Sequence, residues 1–452
     1  MRFLAAAICL CFASPVLADT LIDNVVGLTL DDDGDIRTFN ALLIDDKGRI
    51  AEVLDRNDKR PKKVEYRLDG KGRVLIPGLV DSHAHMMDLG LAQLKAKAGF
   101  EGDPQGDPRP EDRDLAFAEA QELLLANGIT TVADMGTTIE DWQAYRRSGD
   151  RGALQIRLVA YAKGTANMAL IGGPGPTPWL YDGRLKQTGV VITLDGPLHM
   201  HKAWLKAPYA DKPGELGEPA LNEVRLRNLM SRAAIDNFQI AVEAHGDAAT
   251  ASVLDAIDEL DDTYGGDRRW RIEGASLVDA ADLARLGQSG VMISMQWPDM
   301  DVASSANVLG PERFASLHRW RSLRDAGVMP VFGSGTCSGK PQPFALMAMA
   351  MARQISPGEP FTPWQAQERL AREDAFAAFT AAGAKALFAE GRVGRIARGL
   401  NADFLFIDRD PLLASPNQLA QTRVLETWIG GVKVFDAHKG IGKSAIDSFK
   451  GR

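Results

Sequence analysis

The spacing of hydrophobic and polar positions changes character twice along this chain. Near its start, Leu21 to Val26, Ala41 to Asp45 and Ile50 to Leu54 are short β-type runs separated by the turn-forming stretches DDDGD and DDKGR. They predict a small antiparallel sheet. From Val74 onward, apolar β-type segments alternate with longer amphipathic ones. The β-type segments are Ile129 to Ala133, Ile156 to Ala160, Val190 to Leu194, Gln239 to Glu243, Arg271 to Gly274, Val291 to Met295 and Val328 to Phe332. The run leading into His83 makes eight. Helical periodicity fits between many of them, for example over Asp114 to Asn127, Asn222 to Asn237 and Ala248 to Leu260. Eight strands in βα alternation predict an α/β fold, a (β/α)8 TIM-like barrel.

Beyond the barrel pattern the chain returns to β character at Ala402 to Asp408 and Val424 to Val434, with Gly430 and Gly431 supplying a turn. This late segment is expected to complete the N-terminal sheet, giving a small β-sandwich domain built from both chain ends. The division that follows is a signal peptide over 1–18, sandwich over 19–73, barrel over 74–392, sandwich over 393–440 and a tail over 441–452. The Gly/Pro-rich stretch IGGPGPTPWLYDGR, residues 171–184, reads as a loop over the barrel mouth. It lacks the Gly-Lys-Ser/Thr ending of a phosphate loop, so it carries no nucleotide reading.

Composition narrows the classes. With 452 residues, 45% hydrophobic and 25% charged, the chain is long enough for a barrel of roughly 250 residues plus a smaller domain. A net charge of -8 and the lack of a basic run interleaved with aromatics exclude nucleic acid as a partner. The opening MRFLAAAICLCFASPVLADT, with one Arg, an apolar stretch, and Val16 and Ala18 before Asp19, reads as a secretory signal cleaved after Ala18. The mature protein is then exported, to a periplasm, with no membrane span. Cys9 and Cys11 fall within the signal, which leaves Cys337 alone and rules out a disulfide within one mature chain.

The motifs IPGLVDSHAH (76–85), NGITTVADMG (127–136), Asp195-Gly196 followed by WLKAPYADKPGELG (204–217), AHGDAA (244–249), RWRIEG (269–274), ISMQ (293–296) and NADFLFIDRDP (401–411) resemble the amidohydrolase superfamily. The likeness is to its amidohydrolase 3 branch, which includes N-substituted formamide deformylases, and runs from about Leu21 to Phe435. It implies a metal held at the C-terminal ends of barrel strands by an HxH pair, often a strand-four lysine, one histidine each from strands five and six, and a strand-eight aspartate that handles the proton of metal-bound water. Here His83-Ala84-His85 keeps the pair. The remaining positions read Val191, Glu243, Gly274 and Gly335, none of them the expected residue.

Two histidines at i and i+2 of a strand share a face, so both rings can reach one ion. The candidate metal set is therefore His83, His85 and Glu243, and the cofactor expected is a divalent metal, zinc by ligand type. His245, His199, His201 and Trp297 are the candidate substrate contacts. Cys337 reads as an inert thiol, Glu273 as a structural residue pointing away from Gly274's face, and Asp134 and Asp247 as loop supports. Two functions compete. One is hydrolysis of a small molecule's non-peptide carbon–nitrogen bond by metal-activated water; the other is a catalytically degenerate barrel, a pseudoenzyme, that binds a small molecule without hydrolysing it. No residue is assigned a catalytic role, and no motif specifies the substrate or the oligomeric state.

Overall fold

The structure, a computed structural model, describes residues 19–98, 109–296, 302–335, 339–354 and 364–441. Eight parallel strands form the barrel sheet in sequential order: Leu79–Ala84 (β1), Ile129–Thr137 (β2), Arg157–Lys163 (β3), Leu185–Thr193 (β4), Gln239–Ala244 (β5), Arg271–Gly274 (β6), Met292–Gln296 (β7) and Val331–Gly333 (β8). Because both faces of such a sheet are covered, the strands are apolar runs rather than alternating ones; β1 is buried at every position. The last strand returns to the first, where the Gly335 amide donates to the His83 carbonyl at 2.9 Å. Gly333 permits this approach, since a Cβ there would lie 2.5 Å from the Cβ of His83.

The helices predicted from periodicity form as Pro110–Ala126, Glu223–Ile235 and Asp247–Asp261. Local chemistry sets their starts. Pro110 occupies the first turn, where its missing N–H is no loss, and Asn222 caps the next helix by accepting from the Arg225 amide at 2.9 Å. Among the described residues no helix is long and apolar enough to cross a membrane.

The chain ends build two further sheets. One has four strands in the order Ile50–Leu54, Ala41–Ile44, Thr20–Asp23, Tyr66–Asp69. The other has seven, and in it Phe404–Ile407 pairs antiparallel with both Val74–Pro77 and Val424–Ile429. The late β segment does not join the sheet of Thr20–Asp23, Ala41–Ile44 and Ile50–Leu54, which the sequence reading expected it to complete. It joins the second sheet, with Val74–Pro77, Val26–Leu30 and Ile36–Phe39, because the backbone pairing decides the partner and β composition does not. Ile22, Phe39, Leu42, Leu75, Phe404 and Phe406 fill the core of this layer. Val74–Pro77, placed with the barrel in the sequence reading, belongs to this sheet, and the barrel begins after Gly78, at Leu79. The backbone pairing decides this, and an apolar run by itself does not say which sheet it joins.

Residues 171–184 do not cover the mouth. Their first two residues end the helix Gly164–Gly172 and the rest lead to the start of β4, so they lie at the opposite end of the barrel. Arg157, the first residue of β3, holds them there by donating to the Gly183 carbonyl at 2.8 Å. A βα barrel alternates ends, and a segment between a helix and the next strand must sit at the strands' N-terminal face.

The same arginine ties the two domains together. Its guanidinium makes two bonds to Asp403, Nε at 2.6 Å and Nη2 at 2.9 Å, and the pair is 3% and 2% exposed. Asp403 also accepts from the Gly430 amide at 2.8 Å. Removing one partner of a buried pair leaves the other charge unpaired, so Asp403→Ala is expected to cost about 3–5 kcal/mol, measured by urea denaturation of the variant against the parent.

Candidate active site at the barrel mouth

The C-terminal ends of the strands open into a cavity of about 1130 Å³ whose wall includes His83, His85, Glu243, His245, Glu273 and Gln296. This is where a parallel barrel places its functional side chains, because the strand ends project there and the βα loops surround them. The sequence reading thus brings His83, His85, Glu243 and His245 to one space. His201 reaches its rim, where Nε2 lies 3.0 Å from an Asp211 carboxylate oxygen and the ring packs edge-on against Tyr209. His199 is exposed on the short turn Leu198–Met200 and does not line the cavity. Trp297 and Cys337 lie outside the described residues.

The floor of the cavity corrects one expectation outright. Glu273 does not point away: it lines the cavity, and its Oε2 lies 2.7 Å from Nδ1 of His83. The inward parity of β6 runs through Arg271 and Glu273, which share a face at i and i+2, while Gly274, at φ 92°, is where the chain leaves the strand. Arg271 Nε donates to the other Glu273 oxygen at 2.6 Å, with both side chains essentially inaccessible to solvent. Arg271 is itself held by the Ser82 carbonyl at 2.7 Å and the Tyr161 hydroxyl at 3.2 Å. The opposite charges at Arg271 and Glu273 in an otherwise apolar strand were the sequence signal for this network.

Its electrostatics fix a proton. Burial alone would raise the Glu273 pKa, but the Arg271 charge and the His83 ring outweigh it and hold the carboxyl below the usual range. An ionised carboxylate only accepts, so Nδ1 of His83 carries the hydrogen of this bond, and in the neutral ring Nε2 is the acceptor nitrogen. His83 and His85 face each other edge to plane with centroids 5.1 Å apart.

The expected metal shell does not assemble. Among the described residues no group of three or more His, Cys, Asp or Glu side chains could hold an ion. The Glu243 carboxylate accepts from the Thr193 hydroxyl at 2.6 Å, and Val191 is a buried hydrocarbon. The space beside Gly274 is taken by the His245 ring, whose Nδ1 would lie 2.7 Å from an added Cβ. Over Gly335, the side chain of Gln296 stands 2.7 Å from where a Cβ would be. Gln296 in turn donates to the Ser294 hydroxyl at 3.0 Å and to Glu273 at 3.3 Å. Among the described residues the donor set does not reach the roughly three protein ligands that a catalytic metal needs.

Three buried carboxylates hold the chain around the strand ends. Asp195 accepts from the amides of His245 at 2.7 Å and of Gly246 and Trp204 at 2.9 Å, binding two loops to the end of β4. Burial raises its pKa against the pull of His245 and these amides. Asp134 accepts from the Met86 amide and the Tyr145 hydroxyl, and Asp247 from the Lys206 amide, so both do support loops. Burial depresses the His245 pKa, and burial with Arg353 and His245 nearby pushes His318, beneath the cavity wall, down to about 3.

A parallel eight-stranded barrel with a cavity at its C-terminal mouth and flanking sheets drawn from both chain ends defines the class: a (β/α)8 barrel with a candidate site at its strand ends. A family model described as the amidohydrolase family, Amidohydro_3, matches residues 92–435. The chain belongs to the amidohydrolase family. It is 28% identical over 345 residues to the protein LONG AFTER FAR-RED 3 of Arabidopsis thaliana, covering 72% of this chain and 58% of that one. It is 25% identical over 224 residues to an N-substituted formamide deformylase of Arthrobacter pascens, covering 48% of this chain and 40% of that one. The chain thus spans about half the length of these relatives. Among solved structures, an uncharacterized metal-dependent hydrolase of Pyrococcus horikoshii superposes with a TM-score of 0.73 at 19% identity, covering 88% of this chain and 99% of that one. At that identity the likeness speaks for the fold.

Buried His318 and half-buried His245 set a pH dependence. Their folded pKa values lie below the unfolded value of 6.5, so the unfolded chain binds more protons as pH falls, and stability present above pH 6.5 is lost on the way down toward about 3 for His318. Within that window His318 removes about 1.4 kcal/mol per pH unit, and His245 acts in the same direction. Urea midpoints measured from pH 7 to about pH 4 should fall, and His318→Gln should flatten the slope.

Proposed function

We propose that the chain hydrolyses a carbon–nitrogen bond of a small molecule held in the mouth cavity, with His83 as the base that activates water. The observation that carries this reading is the Glu273 to His83 bond of 2.7 Å, anchored by Arg271. It leaves Nε2 as the proton-accepting nitrogen, the arrangement in which a carboxylate fixes a histidine's tautomer and stabilises the imidazolium that forms. Nε2 takes a proton from water as the water oxygen bonds to the carbonyl carbon. The proton then passes to the leaving nitrogen as the C–N bond breaks, giving an acid and an amine. Membership of the amidohydrolase family and the likeness to a formamide deformylase support the bond class. The zinc version of this reading, with His83, His85 and Glu243 as ligands, lacks a converging set among the described residues, and no step here runs through a metal. His201 at the rim and His245 in the wall are the substrate contacts in this reading. Export after cleavage behind Ala18 remains part of the proposal, and would place the reaction in the periplasm.

A second reading, binding without turnover, is favoured by glycine at 335, where the family resemblance implies an aspartate that handles the proton of water, and by glycine at 274, where it implies a histidine. One experiment separates the two. Chelator-treated protein is assayed for amine release from a panel of N-substituted formamides and acyl amides. Turnover should survive chelation, fall by roughly 10²–10⁴ in His83→Ala and fall less in Glu273→Gln, where the ring is less firmly oriented. Turnover that His83→Ala leaves unchanged would remove the assignment of the base; binding of the panel without amine release would establish the second reading.

A further inference from the structure

We infer that the barrel mouth is rebuilt to stand without a metal: the glycines at 274 and 335 are not gaps in a ligand shell but seats for His245 and Gln296. A ligand lost by simple decay would leave a void facing the cavity. Neither position does. An added Cβ at Gly274 would meet His245 Nδ1 at 2.7 Å and Cε1 at 2.8 Å, and one at Gly335 would meet Gln296 Cβ at 2.7 Å and Cγ at 3.0 Å, all closer than ordinary side-chain contacts. Both occupants are held where they are. The His245 amide is bound by Asp195 at 2.7 Å and its ring lies 3.3 Å from the Ser276 hydroxyl, while Gln296 bridges Ser294 and Glu273. Both glycines also have positive φ, 92° and 59°, so the backbone itself has settled into a form that side chains disfavour. The histidine lost from the end of β6 is thereby replaced in volume by one reached from the loop after β5, turned to a different set of partners.

Two measurements test this, and neither depends on the proposed hydrolysis, so either reading can fail alone. The first is zinc content by mass spectrometry after zinc loading and desalting, in the parent protein and in the double variant His83→Ala, His85→Ala. The two should differ by less than about 0.1 zinc per chain; loss of about one zinc in the variant would overturn the inference. The second is a double-mutant cycle in melting temperature. Gly274→Ala should lower it by several degrees in the parent and clearly less in a His245→Ala background, because the φ strain is common to both and only the ring contact differs. Equal losses in the two backgrounds would show that the ring does not occupy the glycine's space, and would overturn it as well.

Discussion

The barrel mouth is organised around a buried ion pair, Arg271 with Glu273, whose side chains are 0% and 1% exposed. Two charges in a barrel interior are tolerated only when each is paired and every remaining hydrogen-bonding group is satisfied. That requirement recruits the neighbours. Arg271 draws in the Ser82 carbonyl on β1 and the Tyr161 hydroxyl on β3, and Tyr161 in turn donates to Gln239 at the start of β5. Glu273 draws in His83 and Gln296. One pair thus links five strands through side chains, and such a network contributes to a unique arrangement more than to net stability. The orientation of the His83 ring is a consequence of it.

Close packing accounts for the rest of the mouth. Interiors hold few voids larger than a water molecule, so a side chain removed from one strand end is replaced in volume by a neighbour or the wall moves inward. At Gly274 and Gly335 the first has happened. At Gly333 the glycine serves a different purpose, letting β8 approach the backbone of His83 so that the sheet can close. Asp195 sets the opposite wall: three amides from two loops converge on one carboxylate, which places the His245 ring and the chain around Trp204 relative to β4. The cavity is therefore polar and hydrogen-bonded on its floor and fixed on one side, features of a site that orients a ligand.

Much of the fold was legible in the residues. Apolar runs of strand length, alternating with helical periodicity, recover all eight barrel strands, because a parallel sheet buried on both faces leaves a strong local signal. The helix over Glu223–Ile235 could be read from its periodicity, and the β character of Phe404–Ile407 from its composition, though not which sheet it joins. Less was legible where a segment's destination depends on what it meets. Val74–Pro77 has the composition of a barrel strand and pairs with the outer sheet; residues 171–184 have the composition of a mouth loop and lie at the other end.

The site divides in the same way. By itself the sequence determined the histidine pair at His83 and His85 and its place at the end of a barrel strand, because residue identity and short-range spacing suffice for these. The motifs carried the family resemblance, and only through it do Val191, Glu243, Gly274 and Gly335 stand where other residues are implied. Only the tertiary structure decided that Glu273 faces inward to hold His83, that His199 stands outside the cavity, and that His245 and Gln296 occupy the space beside two glycines. These are contacts between residues 23 to 190 positions apart. Strand parity, positive φ and close packing fix them, and none of those is written in the local pattern of a chain.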